Sequence, residues 1–219
     1  MAWLILIAGP NGAGKTTLAG SADFQKQLKL FPAGPVRLFN PDEAAKVYYA
    51  SSPGITVEAA NLWATNAIPA QVVQCIDAGE NIAVETVLSS DKYESVIHHA
   101  HSAGYQVGMI YLALESAKVS KARVAKRVAT GGHPVPDNRL RPRWHRSLDN
   151  LVKFAPMLDG LLLFLSSSTR GLTLLAEKYE GQLLWYGGPL FPNLRQRLGA
   201  QQTPVSGPGT GGMPFRSKP

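Results

Sequence analysis

The sequence predicts an α/β fold, a mostly parallel sheet with helices on both faces. Three observations predict it. Short, continuously apolar runs recur along the chain, helix-length segments separate them, and each crossover is long enough for a right-handed connection. A run without polar alternation is what a strand covered on both faces requires.

Taken in order, "WLILIA" (3–8) is expected to be a fully buried strand ending in a glycine turn, and residues 15 to about 29 a helix. "VRLFN" (36–40) is a second strand, after which Pro41-Asp42-Glu43 suits a helix start, because proline lacks only an unused N–H and acids favour the positive helix end. An Ala-rich helix spans about 57–78 and stops at Gly79. "NIAVET" (81–86) is the third strand; Ser90-Asp91 are expected to cap a helix running to about 102, which Gly104 ends. "YQVGMIYLAL" (105–114) is the fourth strand, followed by a basic helix to about Ala129. "TGGHPVPDN" (130–138) cannot continue a helix and marks a loop, with a further helix over 139 to about 156. "GLLLFLSSS" (160–168) is the fifth strand, and "LTLLAEKYEGQLLWYGG" (172–188) an antiparallel hairpin turning at Glu180-Gly181. The Gln, Pro, Gly and Ser content from residue 200 predicts a disordered tail, 200–219. The expectation is one domain, 1–199, with a five-stranded, mostly parallel sheet and a C-terminal hairpin.

Composition agrees. With 219 residues, 45% hydrophobic and 17% charged, the chain has material for one well-buried core. No apolar stretch approaches the roughly 18–20 residues of a membrane span, and the greasy start breaks at Gly9 without a small-residue cleavage site. Neither export nor a membrane partner is expected. The single cysteine, Cys75, lies in an apolar helical pattern and has no partner for an internal disulfide; a buried thiol in a reducing cytoplasm fits. A net charge of +7 favours anionic partners. Nine lysines and arginines (Lys118, Lys121, Arg123, Lys126, Arg127, Arg139, Arg141, Arg143, Arg146) crowd one stretch with a single intervening acid, Asp137, which marks either a solvated basic face or an anion site.

The chemistry begins between the first strand and helix. Gly9, Pro10, Asn11, Gly12, Ala13, Gly14, Lys15 and Thr16 fit G-x-x-x-x-G-K-[ST], with Thr17 following, and the strand before and helix after are the context this motif needs. Glycines let successive N–H groups turn onto phosphate oxygens, the helix N-terminus adds positive charge, Lys15 reaches the β- and γ-phosphates, and Thr16 offers its hydroxyl to Mg2+. These residues identify a site for a nucleoside triphosphate, ATP or GTP, and leave the acceptor of the phosphate open. In such folds ligands lie beyond the carboxyl ends of strands. Asp42 follows the second strand, and Glu85 and Thr86 end the third. A carboxylate there can take the proton of an attacking hydroxyl or hold Mg2+ through water. Two plainer readings stand beside this: Asp42 and Glu43 as first-turn acids of a helix, and Glu85 as a buried acid with a structural partner. Arginines from Arg127 to Arg143, flanking a glycine-proline loop, suit a clamp on the transferring phosphoryl group in a lid over about 127–146, whose closure excludes water. His133 reads as a lid hydrogen-bonder or loop-shaping residue, and Trp144, His145 and "SLDNL" as the lid helix's packing face.

At "GPNGAGKTT", "FNPDEAA", "AVETVLSS" and "RVATGGHPVPDNRLRPRWHRSLDNL" the chain resembles the zeta toxin family of P-loop kinases, over residues 8–151. The resemblance implies a P-loop NTPase, kinase-like fold and ATP- or GTP-dependent phosphorylation of a hydroxyl, with UDP-N-acetylglucosamine the acceptor of well-known members. It implies triphosphate and Mg2+ ligation by Lys15 and Thr16, Asp42 as general base, Glu85 as acceptor-binding acid, and Arg127 and Arg143 as paired clamp arginines. It also implies an antitoxin as a protein partner. Two departures stand out. Pro142 sits between Arg141 and Arg143, leaving both open as the second clamp residue, and "FLSSSTR" lacks the acidic-amide pair looked for in relatives. Two other functions compete: a kinase for nucleic-acid ends, suggested by the basic stretch, and a nucleotide-binding switch without transfer.

Overall fold

The computed structural model describes residues 1–21, 24, 35–132, 135–179, 181–187 and 192–202. The strands are β1 (Trp3–Ala8), β2 (Arg37–Phe39), β3 (Ile82–Thr86), β4 (Gln106–Ala113), β5 (Gly160–Ser167), β6 (Gly171–Tyr179), β7 (Gln182–Trp185) and β8 (Gln201–Gln202). The helices are α1 (Lys15–Ala19), α2 (Pro41–Ser51), α3 (Val57–Asp77), α4 (Tyr93–Ser102), α5 (Ala117–Ala129), α6 (Asp137–Phe154) and α7 (Pro192–Arg197), with a short 3-10 turn at Ala155–Met157.

One sheet runs in the order β2-β3-β1-β4-β5-β6-β7-β8. Its first five strands are parallel, as expected. The hairpin does not stand apart: β6 pairs antiparallel with β5 and β7 with β6, and β8 pairs with β7, so the sheet has eight strands rather than five. An edge left at β5 would expose unpaired backbone groups, and the hairpin satisfies them. The continuous apolar runs serve two cores. Leu4, Leu6 and Ala8 face one cluster while Ile5 and Ile7 face the other, and β4 divides Val107, Met109 and Tyr111 from Ile110 and Leu112 in the same way.

Local signals account for most element ends. Asn40 caps α2 by accepting from the amides of Asp42 and Glu43, with Pro41 at the first helical position. Gly79 and Gly104 adopt φ of 76° where helices stop. Two expectations need correcting. Ser90-Asp91 do not cap α4, whose N-cap is Lys92 without a side-chain bond. Helix α1 closes at Ala19 with Gly20 as its cap rather than running to about 29; much of that remainder lies outside the described residues. Of the expected tail, Gln201-Gln202 form β8 and 203–219 lie outside the described residues, as does His133. Cys75 is buried and unbridged. Among the described residues no helix is long and apolar enough to cross a membrane.

Since β1 sits between β3 and β4, the chain leaves β1 toward one sheet edge and β4 toward the other. The crevice opened by that divergence, beyond the carboxyl ends of β1, β2 and β3, is where a ligand fits such a sheet.

Candidate active site

The loop joining β1 to α1 is shaped by contacts that only glycine permits. Gly9 has φ 141°, and a Cβ there would collide with the carbonyl oxygen of Leu112 on β4. Gly12 has φ 78°, and its missing Cβ leaves room for Arg123 on α5. From behind, Ser120 donates its hydroxyl to Asn11 O at 2.6 Å, while Arg123 donates to Gly12 O at 3.4 Å and to both Ser166 Oγ (2.9 Å) and Ser166 O (3.0 Å). The loop is therefore braced between α5 and the end of β5.

Lys15 is buried and donates its ammonium to Gly9 O at 2.9 Å and Pro10 O at 3.2 Å. Burial pulls its pKa below the usual lysine value, while the charges of Glu85 and Asp42 act the other way. Thr16 donates its hydroxyl to both carboxylate oxygens of Glu85, at 2.8 and 3.1 Å, and Asn40 Nδ2 donates to the same carboxylate at 2.9 Å. Glu85 is 7% exposed; burial raises its pKa, opposed by Lys15 and by the Thr16 hydrogen bond. Both plainer readings thus hold a share of the truth. Asp42 does occupy a helix's first turn, with its amide bonded to Asn40 Oδ1 at 3.0 Å, and Glu85 does have structural partners. Neither fact removes them from the crevice, because Asp42 acts by charge on Lys15, Glu85 and Arg143 alike.

A cavity of about 600 Å3 gathers these groups: Gly12, Gly14, Lys15, Thr16 and Thr17 line it together with Asp42, Glu85 and Thr86 and with Arg127 and Arg143. Arg141 is exposed and is not part of the cavity lining, so of the two alternatives it is Arg143 that faces the site. Burial, followed by the charges of Arg139 and Arg146, lowers the pKa of Arg143, although an arginine stays protonated regardless. The turn after α5 folds back on Arg127: the Gly132 amide donates to Arg127 O at 2.9 Å, and a Cβ on Gly132 would lie 2.5 Å from Arg127 Cγ. In all, the lining carries Lys15, Lys92, Arg123, Arg127, Arg143 and Arg146 against two acids, Asp42 and Glu85. Such an excess of positive charge focuses an anionic ligand into the cavity.

The residues present fit a Mg2+-bound nucleoside triphosphate. The loop keeps open the space a Cβ would fill, and the buried Asn11 Oδ1, on the cavity wall, has no hydrogen-bond partner among the described residues. Thr16 and Glu85 supply oxygen atoms of the hard type Mg2+ prefers.

Several lining residues escape sequence reasoning. Asn40 carried a signal, since an Asn-Pro-Asp start reads as a helix cap, and the same side chain turns out to hold Glu85. Arg123 and Arg146 were visible only as members of a basic stretch. Thr65 and Lys92 reach the cavity through the packing of α3 against α4, which no local pattern encodes. Trp144 is a packing residue as expected, lying against both cores and donating its indole N–H to Leu114 O at 3.2 Å.

A family model described as Zeta toxin matches residues 3–155. No curated protein sequence matches the chain significantly. Among solved structures, the AvrRxo1-ORF1:-ORF2 complex with ATP superposes with TM-score 0.65 at 18% identity, covering 95% of this chain and 66% of that one. The same complex with sulphate ions gives 0.62 at 18%, covering 89% and 63%. The PezAT chromosomal toxin-antitoxin system of Streptococcus pneumoniae gives 0.58 at 17%, covering 79% and 70%. At such identities these structures establish the shared fold, and the present chain spans about two thirds of the length of the AvrRxo1 chain it matches. The family match extends over well more than half of the sequence, and the chain belongs to the zeta toxin family.

Proposed function

We propose that this member of the zeta toxin family transfers the γ-phosphoryl group of ATP or GTP to a hydroxyl of a small acceptor, with a sugar nucleotide resembling UDP-N-acetylglucosamine as the best candidate. The observation that carries the reading is the convergence of the 9–17 loop, Asp42, Glu85, Arg127 and Arg143 on one cavity.

Each residue has a role its position suits. Backbone amides of the loop from Asn11 to Gly14 and of the start of α1 hold the phosphates, and Lys15, released from Gly9 O and Pro10 O, neutralises the β- and γ-phosphates. Thr16 would hold Mg2+, with Glu85 beside it; the ion when bound neutralises charge building on the phosphate oxygens. Asp42, exposed at the start of α2, accepts the proton of the acceptor hydroxyl. Glu85 and Thr86 orient the acceptor from the end of β3. Arg127 and Arg143 stabilise the phosphoryl group in flight, their guanidinium planes matching its oxygens. The kinase-like domain extends at least through β8 at Gln201–Gln202, and residues about 127–146 serve as the lid that excludes water. The protein acts in the cytoplasm, and an antitoxin that occludes the nucleotide site is its natural antagonist.

The two structural relatives solved as toxin or two-component complexes support the partner reading by analogy of fold alone. The test is a screen of sugar nucleotides, free sugars, nucleosides and a 5′-hydroxyl oligonucleotide with labelled Mg-ATP. Label on a sugar nucleotide supports the proposal; label on the oligonucleotide, with steep salt dependence, would move the protein among nucleic-acid end kinases. Tight nucleotide binding with no single-turnover transfer to anything would leave a switch.

A further inference from the structure

The loop after β3 is held from the far side of the cavity. The carbonyl oxygens of three consecutive residues are all taken by side chains of α6: Ser147 Oγ donates to Val87 O at 2.7 Å, Asn150 Nδ2 to Leu88 O at 3.0 Å, and Arg146 Nε to Ser89 O at 3.1 Å. Donors at 146, 147 and 150 share one helix face, so a single rigid element sets all three. At the centre of the loop Leu88 has φ 57°, the one positive φ of a non-glycine residue among those described, and its side chain is 1% exposed in the core. A left-handed leucine is strained and persists only where its surroundings over-determine it. Here they do, since the Leu88 amide is also bonded, to Thr86 Oγ1 at 3.0 Å.

Helix α6 is itself fixed to the sheet. Ser147 Oγ lies 2.8 Å from the Tyr111 hydroxyl of β4, and Trp144 is bonded to Leu114 O. Arg143, one turn before Ser147, faces the cavity, and so do Thr86, Ser89 and Ser90 of the stapled loop. Neither Ser147 nor Asn150 lines it.

We propose that α6 is a template for the acceptor wall: Asn150 and Ser147 are positioning residues that hold Leu88 in its left-handed conformation and so keep the 86–90 loop in register with Arg143. This rests on the phosphotransfer reading and extends it. The acceptor half of the site is formed before nucleotide arrives, and it is tuned by side chains that touch neither substrate.

The experiment uses Asn150→Ala, with Lys153→Ala as a control on the same helix that loses a bond to Glu94 and none to the loop. Three quantities are read: deuterium uptake over 86–92, affinity for Mg-ATP, and KM and kcat with UDP-N-acetylglucosamine as acceptor probe. The expected result for Asn150→Ala is faster exchange over 86–92, a KM for the probe raised about tenfold for one lost hydrogen bond, and unchanged Mg-ATP affinity, with Lys153→Ala like the unaltered protein. Unchanged exchange in Asn150→Ala overturns the proposal, and so does a parallel loss of acceptor and nucleotide binding. Failure of the unaltered protein to phosphorylate the probe while binding Mg-ATP counts against the sugar-nucleotide reading instead, a result seen before any variant is made, and the exchange measurement still decides whether α6 holds the loop.

Discussion

The two ends of the cavity are built by opposite strategies. The nucleotide end is one contiguous segment, residues 9–17, whose working groups are main-chain amides and a single lysine. The end proposed for the acceptor is assembled from the ends of β2 and β3, from α2, α3 and α6 and from the N-cap of α4, and the bonds that hold its loop join residues 57 to 62 positions apart. A backbone cradle tolerates side-chain change as long as its glycines and lysine stay. A wall held by scattered side chains can be re-cut by single substitutions. The structure therefore predicts where each kind of change should register.

The largest separation should come from Asp42→Ala, which removes the proposed base and leaves the cradle intact: kcat falling roughly 100- to 10,000-fold with Mg-ATP affinity unchanged, read by steady-state kinetics beside a nucleotide titration. If the ATP affinity fell equally, the division between the two ends would not hold. Next is the arginine comparison. Arg143→Ala should lower kcat about 100- to 1,000-fold, whereas Arg141→Ala, outside the cavity, should leave it near the original value. The reverse order would place the clamp on the other arginine. A smaller effect belongs to the nucleotide end. Arg123→Ala cuts the brace between Gly12 O and Ser166, and Mg-ATP affinity should drop about tenfold with little change in acceptor KM.

The smallest effect is on stability. Burial raises the pKa of Glu85 above its unfolded value, so the folded chain binds more protons than the unfolded one between the two. Its contribution is fully present below the ordinary glutamate value and is lost as pH rises through the folded one. Melting temperature without ligand should decline with rising pH across that window, and Glu85→Gln should flatten the decline. An unchanged slope in the variant would mean that Glu85 ionises without cost, as it would if solvated.

The same asymmetry explains what could be read from the sequence. Strands β1, β3, β4 and β5 were legible because a strand buried on both faces must be apolar throughout, and the cradle because its chemistry needs a fixed spacing of glycines beside lysine. Asp42, Glu85 and Thr86 were legible from their place after strands. The joining of the hairpin to the main sheet was not, since edge pairing depends on which strand is left at the border. Lys92, Thr65 and the grip of Asn150 on Leu88 were hidden for a related reason: each is defined by tertiary packing, and a polar residue inside a helix reads as solvent-facing until its neighbour is known. Even the left-handed Leu88 gave no sign, because sequence flags such positions by glycine or asparagine, and here long-range bonds impose the conformation on leucine.

The central claim, that one cavity joins a triphosphate to an acceptor hydroxyl, is tested most directly by single-turnover transfer from labelled Mg-ATP into a mixture of candidate acceptors, read by mass spectrometry for the unaltered protein, Lys15→Ala and Asp42→Ala. The account predicts one acceptor gaining a phosphoryl group with the unaltered protein, at a rate at least about 100-fold lower in either variant. Transfer at an undiminished rate in Asp42→Ala, or ATP consumed with the phosphate released only to water, would contradict it.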